Sequence, residues 1–155
     1  MSDYRIRPAT IDDEPVLAYH RAAMFEEMGI PVDRPALDDA YIPWLREMMP
    51  RGDYRGWLVE ADDHSIVAGG GITIIPWPPG PRYLTDKLAF VYNVYTEPAH
   101  RKRGLARLVM HAIHAHCREE GIRTLALNAS EFGRPLYESL GYAVTPSPMM
   151  FLALP

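Results

Sequence analysis

The strongest constraint on the fold is a strand, a turn and an amphipathic helix that follow one another between residues 88 and 121. The run Leu88–Tyr95 is rich in aromatic and β-branched residues, which predicts a buried strand that Pro98 ends. Beyond the turn, apolar residues recur at intervals of three and four and form one helix face: Leu105, Leu108, Val109, Ala112, Ile113 and His116. The opposite face carries Arg107, His111, His114 and Arg118, and Gly121 ends the helix. A buried strand leading into a one-faced helix indicates an α/β architecture.

The rest of the chain divides into further helices and strands. Helices are predicted from Thr10 to Gly29, from Ala36 to Met49 and from Gly133 to Leu140, and Pro43 should bend or divide the second. Strands are predicted at Tyr4–Arg7, Gly56–Glu60, Ser65–Ile74, Thr124–Asn128, Tyr142–Val144 and Met149–Leu154. Four prolines between Pro76 and Pro81 predict an irregular loop that reaches Asp86. No repeat interrupts this order, so residues 1–155 are predicted to form one domain.

Composition and charge exclude several classes of protein. With 48% hydrophobic and 23% charged residues in 155, the chain has the composition of a globular domain and not of a disordered one. The single cysteine, Cys117, excludes an internal disulfide and a cysteine-rich metal site. A net charge of −4 argues against a broadly basic nucleic-acid-binding surface. The N-terminal residues lack the apolar core of a signal peptide, and no apolar stretch is long enough to span a bilayer. We therefore expect a soluble cytoplasmic protein without a membrane partner.

The charge is distributed unevenly along the chain. Residues 1–100 carry nine basic and sixteen acidic side chains, whereas residues 101–155 carry seven and four. Histidines add no metal site to this pattern, because His111 and His114 lie on the polar face of the predicted helix and His116 on the apolar one. We expect no bound metal. The asymmetry is consistent with two ligands of different charge.

The turn before the amphipathic helix is the candidate binding site. A helix N-terminus presents free amide groups and a partial positive charge, which suit a phosphate group. Gly104 and Ala106 add little side-chain bulk, so a ligand oxygen could approach these amides, and four basic residues surround the turn: Arg101, Lys102, Arg103 and Arg107. The Gly-Lys-Ser/Thr of a P-loop and the Gly-x-Gly-x-x-Gly of a dinucleotide fold are both missing. The turn therefore predicts a diphosphate site of another type.

The residues from Arg101 to Ala106 read Arg-x-x-Gly-x-Ala, which resembles the acyl-CoA pyrophosphate signature of the GNAT superfamily of N-acetyltransferases. Further segments resemble that family in the same order along the chain: Ile6–Thr10, Ser65–Ile74, Asn128–Ser130 and Arg134–Tyr142. Two positions depart from the usual pattern, since Thr96 replaces a more common valine and Ala106 replaces a second glycine. Both changes are small, because Thr96 would contribute through its backbone.

The resemblance implies a fold and a co-substrate. The fold would be a central mixed, mostly antiparallel sheet of about six to seven strands flanked by about four helices. A splayed pair of parallel strands would form the cleft for acetyl-CoA. The resemblance implies cofactor contacts from Val94, Tyr95, Thr96, Arg101, Lys102, Arg103, Gly104, Leu105, Ala106 and Asn128. Asn128 could instead cap the following turn.

The same resemblance implies transfer of an acetyl group to an amine by direct attack in a ternary complex. Tyr137 matches the family tyrosine that gives a proton to the departing thiolate, although it could instead be a core residue. An alkyl amine has a pKa of about 10.4, so a base must help to deprotonate it. Glu26, Glu27 and Glu97 are the candidates, and the sequence does not separate them.

The sequence and the family resemblance also suggest the acceptor, an alternative function and the partners. The acidic balance of residues 1–100 would suit a cationic acceptor, although no motif identifies one. A non-catalytic acyl-CoA-binding sensor would use the same cofactor site and is the alternative function. Terminal strands often mediate dimers in this family, so a homodimer is a further expectation. Nucleic acid is not expected, because no aromatic residues for base stacking accompany the basic turn.

Overall fold

The computed structural model describes residues 3–155, which form one twisted sheet with helices on both faces. The strands are β1 (Arg5–Pro8), β2 (Tyr54–Glu60), β3 (Ile66–Pro76), β4 (Lys87–Thr96) and β5 (Leu125–Leu127). The helices are α1 (Glu14–Glu27), α2 (Arg34–Arg51), α3 (Leu105–Glu119) and α4 (Arg134–Ser139). Short 3₁₀ turns at Ile11–Asp13 and Pro98–His100 precede α1 and α3. Within residues 3–155 no helix is long and apolar enough to cross a membrane.

The sheet has the order β1-β2-β3-β4-β5. The first four strands are antiparallel neighbours, and β5 is parallel to β4. The expected α/β fold with a mixed, mostly antiparallel sheet and four helices is confirmed. Each neighbouring antiparallel pair joins consecutive strands, whereas the parallel pair needs α3 as its crossover.

The predicted count of six to seven strands is too high for the part of the chain that the structure describes. Residues 142–144 and 149–154, which are predicted as strands, form no strand and join no sheet among the described residues. A strand requires a partner for its backbone groups, and local residue preference does not supply one.

Two apolar clusters cover the two faces of the sheet. On one face, α3 buries a stripe of residues: Leu105, Val109, Met110, Ile113 and Cys117. The buried stripe is rotated by part of a helical turn from the predicted one, since Leu108, Ala112 and His116 are only half-buried. On the other face, α1 and α2 pack on Tyr54 and Leu58 of β2. The second helix continues through Pro43 without the possible division.

Three consecutive glycines in β3 allow both helical layers to lie close to the sheet. A Cβ at Gly70 would lie 2.8 Å from Cγ1 of Val109 on α3, and a Cβ at Gly69 would lie 3.2 Å from Nδ1 of His20 on α1. Opposite these glycines β4 contains a bulge, because the register shifts between Gly69 and Gly71. Asn93 lies in the bulge with a φ of 57°, a left-handed conformation that asparagine tolerates better than most residues.

Candidate active site

The pairing between β4 and β5 ends after three residues. Ala89, Phe90 and Val91 pair with β5, whereas β4 continues along β3 as far as Thr96. The amide of Glu97 donates to the Val67 carbonyl at 2.8 Å on the β3 side. Because backbone direction alternates along a strand, the backbone groups of Val94 and Thr96 face away from β3. The expected divergence of the parallel pair therefore exposes backbone donors and acceptors along the second half of β4.

The turn between β4 and α3 presents a group of free amides. Lys102 and Gly104 have φ values of 61° and 77°, and α3 starts at Leu105. From Lys102 to Arg107, no backbone amide donates to an acceptor within residues 3–155. A Cβ at Gly104 would meet no atom within 4 Å, so the surface above this turn is open. Free amides at the positive end of a 15-residue helix fit a phosphate group.

The basic side chains of this turn do not all point to one place. The Arg101 Nε donates to the Thr96 carbonyl at 2.9 Å, and its guanidinium also pairs with Glu27. Arg103 donates to the hydroxyl of Tyr4 at 2.9 Å. Arg101 thus braces the end of β4 against α1, and its expected contact to a cofactor stays a prediction. Lys102 is exposed and makes no hydrogen bond or ion pair within the described chain.

Asn128 follows directly after β5, where the two parallel strands diverge. Its side chain is exposed and donates no hydrogen bond to any residue from 3 to 155. The alternative role as a cap is taken by Ser130, whose Oγ accepts from the Gly133 amide at 3.1 Å ahead of α4. Asn128 is therefore free to contact a ligand beside β5.

Tyr137 lies on α4 and packs against the apolar cluster on the α3 face. Its ring meets the ring of Tyr142 nearly at right angles, with 5.9 Å between the centroids. Its hydroxyl makes no hydrogen bond with the described residues. Burial raises the pKa of Tyr137, so the phenol is protonated at neutral pH. The packed ring fits a core residue, and the hydroxyl without a hydrogen bond fits a proton donor. The structure is compatible with both roles.

The three candidate bases differ in their partners. Glu26 accepts two hydrogen bonds from Arg34, at 2.8 and 2.7 Å, and this pairing lowers the pKa of Glu26. Glu27 pairs with Arg101. Glu97 has no basic partner in the described chain and accepts a hydrogen bond from the Tyr95 hydroxyl at 3.3 Å. The lowered pKa argues against Glu26 as the base, and the ion pair with Arg101 occupies the carboxylate of Glu27.

A polar cluster at the bulge of β4 was missed by the sequence reasoning. The Arg21 Nη1 on α1 donates to Oδ1 of Asn93 at 2.9 Å, and Nδ2 of Asn93 donates to the Tyr41 hydroxyl at 2.8 Å. Asn93 is only 4% exposed. One signal was available, because Asn93 is the single amide side chain within the otherwise apolar and aromatic run Leu88–Tyr95. Its partners on α1 and α2 could not be read from local sequence.

The histidines on α3 lie in separate environments. His114 Nε2 is 2.8 Å from the Tyr142 hydroxyl, so this residue is not on an open polar face as predicted. His116 packs near Trp57, with 5.4 Å between the ring centroids. Among residues 3–155 no group of three or more His, Cys, Asp or Glu side chains is placed to hold a metal ion.

Comparisons with known proteins agree with this arrangement. The sequence model of the acetyltransferase (GNAT) family matches residues 18–142. A GCN5-related N-acetyltransferase from Ralstonia eutropha JMP134 is similar in structure, with a TM-score of 0.89, 34% identity and coverage of 97% of this chain and 99% of that one. A predicted acetyltransferase from Clostridium acetobutylicum, solved with acetyl-CoA, has a TM-score of 0.87 and 25% identity, covering 98% and 96% of the two chains. No curated protein sequence matches significantly.

A more distant structure shares the fold. The aminoglycoside N-acetyltransferase AAC(6')-Iy in complex with CoA has a TM-score of 0.74 and 17% identity, over 99% of this chain and 96% of that one. The family match covers most of the present chain, and the fold agrees along its length. The protein therefore belongs to the acetyltransferase (GNAT) family. Family membership and the neighbouring structures indicate acetyl transfer with acetyl-CoA.

Proposed function

We propose that the protein transfers an acetyl group from acetyl-CoA to a primary amine of a small molecule or peptide, by direct attack in a ternary complex. One observation carries the proposal: the parallel strands diverge at Val91, and the edge of β4 that β5 no longer borders leads directly to the free amides before α3. A strand edge followed by an anion-binding turn fits an extended arm that ends in a diphosphate.

Two groups of residues would bind two parts of acetyl-CoA, the pantetheine arm and the pyrophosphate. The backbone groups of Val94 and Thr96, with Tyr95 between them, would hold the pantetheine arm, and Asn128 would contact the same arm from the β5 side. The amides of Lys102, Arg103, Gly104, Leu105 and Ala106 would hold the pyrophosphate. Arg101 would keep the end of β4 in position through its bond to the Thr96 carbonyl. Acetyl-CoA supplies the activated acyl group.

Two side chains would move protons. The uncommitted hydroxyl of Tyr137 would donate to the leaving thiolate, whose pKa is near 8.5. The amine must lose a proton before it attacks, which costs about 4–5 kcal/mol for an alkyl amine at neutral pH. Glu97 would accept that proton, directly or through water, because Glu26 and Glu27 are both held by arginines.

The alternative is a non-catalytic acyl-CoA-binding sensor with the same cofactor site. Release of free CoA thiol from acetyl-CoA in the presence of a panel of amines separates the two functions. An enzyme releases thiol in proportion to at least one amine, whereas a sensor is stabilised by acetyl-CoA in a thermal shift without releasing thiol. Failure of acetyl-CoA to stabilise the fold would contradict both functions.

We also propose that the protein is a homodimer formed through its C-terminal segment 149–154. Five large apolar side chains of this segment are 61% to 91% exposed: Met149, Met150, Phe151, Leu152 and Leu154. β5 is the last strand of the sheet and has no strand on its outer side among the described residues. The preceding Pro146 and Pro148 favour an extended chain. An apolar extended segment and an open sheet edge are complementary between two copies.

A further inference from the structure

The guanidinium of Arg21 is a half-buried positive charge without a carboxylate partner. None of the ion pairs among residues 3–155 includes it. Its one hydrogen bond to the described part of the chain goes to a neutral acceptor, Oδ1 of Asn93. A guanidinium has five N–H donors, so four of them remain available at this site. A cation that is partly withdrawn from water without a counter-charge favours an anionic ligand.

Arg21 is also held in one place. Its Cζ lies 5.0 Å from the ring centroid of Phe25 and 5.1 Å from that of Tyr41. Asn93 fixes the remaining edge of the guanidinium and is itself fixed by the Tyr41 hydroxyl. Stacked aromatic rings and an oriented amide restrict the rotamers of a long side chain, which lowers the entropic cost of binding a ligand.

Arg21 lies near the point where the parallel strands β4 and β5 diverge. Asn93 is the second residue after Val91, where β4 stops pairing with β5. Arg21 approaches that point from the face covered by α1 and α2. The carboxylates at the end of α1 are neutralised by Arg34 and Arg101, so they do not compensate Arg21 and do not form an acidic acceptor site. The acidic excess of residues 1–100 is thus not concentrated here.

We propose that Arg21 binds an anionic group of the acceptor, a carboxylate or a phosphate carried by the same molecule as the reacting amine. This inference rests on the proposed amine acetylation and narrows its substrate class. It modifies the expectation of a cationic acceptor, because the uncompensated charge at the diverging end of β4 is positive. Arg21 acts in substrate selection, and the proton transfers remain with other residues.

Matched acceptor pairs test this inference. Glycine, alanine, phenylalanine and lysine are each compared with their carboxamides, and O-phosphoethanolamine is compared with ethanolamine, with CoA thiol release as the readout. We expect the anionic member of at least one pair to have a 10- to 100-fold higher kcat/KM, the range that one charged hydrogen bond supports. The amino-acid pairs and the phosphate pair distinguish a carboxylate from a phosphate.

Variants assign the preference to Arg21. Arg21→Gln keeps a donor for Asn93 but removes the charge, so KM for the anionic acceptor rises about 10- to 100-fold while the neutral member changes little. Arg21→Lys should recover part of the loss, because it restores charge without the planar fork. Arg123→Gln removes the same charge from an exposed position that has no hydrogen-bond or ion-pair partner among residues 3–155, and it should leave the preference unchanged. If Arg21 only braced the bulge, its loss would lower kcat equally for both members of each pair.

If no amine of the panel is acetylated, binding measurements still distinguish a failure of this inference from a failure of the proposed function. Calorimetry with CoA-loaded protein then compares the N-acetyl derivatives of the amino acids with those of their carboxamides. Binding of the acids that is abolished by Arg21→Gln supports the inference without turnover. Equal binding of acids and carboxamides, or a preference that persists in Arg21→Gln, overturns it. Failure of acetyl-CoA to bind at all would instead count against the proposed function.

Discussion

The side-chain amide of Asn93 donates to the hydroxyl oxygen of Tyr41 at 2.8 Å, and this bond ties the bulge of β4 to α2. Both residues are buried, with exposures of 4% and 7%. The bond fixes the orientation of the amide and leaves its oxygen for Arg21. The shape of the strand at its diverging end thus depends on a contact between residues 52 positions apart.

Two substitutions at Asn93 separate the backbone from the side chain. Asn93→Gly and Asn93→Ala both remove the amide and leave the Tyr41 hydroxyl unpaired, at a cost of about 1–3 kcal/mol. Alanine must also adopt the left-handed φ of 57°, which adds about 1–2 kcal/mol. Denaturant unfolding should therefore rank the wild type above the glycine variant and the glycine variant above the alanine variant. Equal stability of the two variants would show that the bulge relaxes.

Replacing Gly104 tests the anion-binding turn. Gly104→Asp and Gly104→Asn introduce side chains of nearly equal size that both tolerate a φ of 77°, but only aspartate brings a negative charge toward the free amides. We expect Gly104→Asp to weaken acetyl-CoA binding at least about 10-fold relative to Gly104→Asn, or about 1.4 kcal/mol. Calorimetric titration with acetyl-CoA measures the difference. Equal affinities would place the diphosphate elsewhere.

Removing the hydroxyl of Tyr137 tests its role as a proton donor. Tyr137→Phe keeps the packed ring, so acetyl-CoA affinity should be unchanged while kcat falls by about 10²–10⁴-fold. Tyr142→Phe is the matched control, because it removes a hydroxyl from the neighbouring ring that bonds to His114 instead. Thiol release measures both variants. Full turnover by Tyr137→Phe would leave this residue with a packing role alone.

Acid should destabilise the fold through His20. This residue is 1% exposed, and burial lowers its pKa from 6.5 to about 4. His20 therefore binds a proton at a higher pH in the unfolded chain than in the folded one. The stability that depends on neutral His20 is fully present above pH 6.5 and decreases toward pH 4. The loss at pH 5 is about 2 kcal/mol, from 1.36 kcal/mol for each pKa unit.

The substitution His20→Gln isolates this contribution. The variant should lose about 2 kcal/mol less than the wild type between pH 7 and pH 5, as measured by the free energy of unfolding in urea. Paired carboxylates such as Asp13 lose stability at lower pH in both proteins and cancel in the comparison. Parallel pH profiles would show that His20 is protonated in the folded state.

The C-terminal segment provides a test of the dimer. Sedimentation should give a dimer for the full chain and a monomer for Phe151→Asp, because aspartate places a charge in the apolar segment. Lys102→Asp changes an exposed charge far from this segment in sequence and should remain dimeric. A full chain that sediments as a monomer at high micromolar concentration would contradict the proposal.

Local patterns in the sequence predicted the elements well and their partners less well. The strand Lys87–Thr96 and helix Leu105–Glu119 agree with the predicted runs, because apolar periodicity depends on neighbouring residues. The ion pair between Glu27 and Arg101 and the network around Asn93 join residues more than 50 positions apart, which periodicity does not encode. The predicted terminal strands failed for the same reason, since a strand needs a partner that its own residues do not specify.

The two halves of β4 differ in how their amides should exchange with solvent. Lys87–Val91 includes three residues that are paired on both sides, whereas Tyr92–Thr96 is bordered by β3 alone. Deuterium should therefore enter the amides of Val94 and Thr96 faster than that of Phe90, although all three belong to one continuous strand. Amide exchange should therefore change from slow to fast between Val91 and Val94. Slower exchange at Val94 and Thr96 would then show that a ligand occupies the open edge of β4.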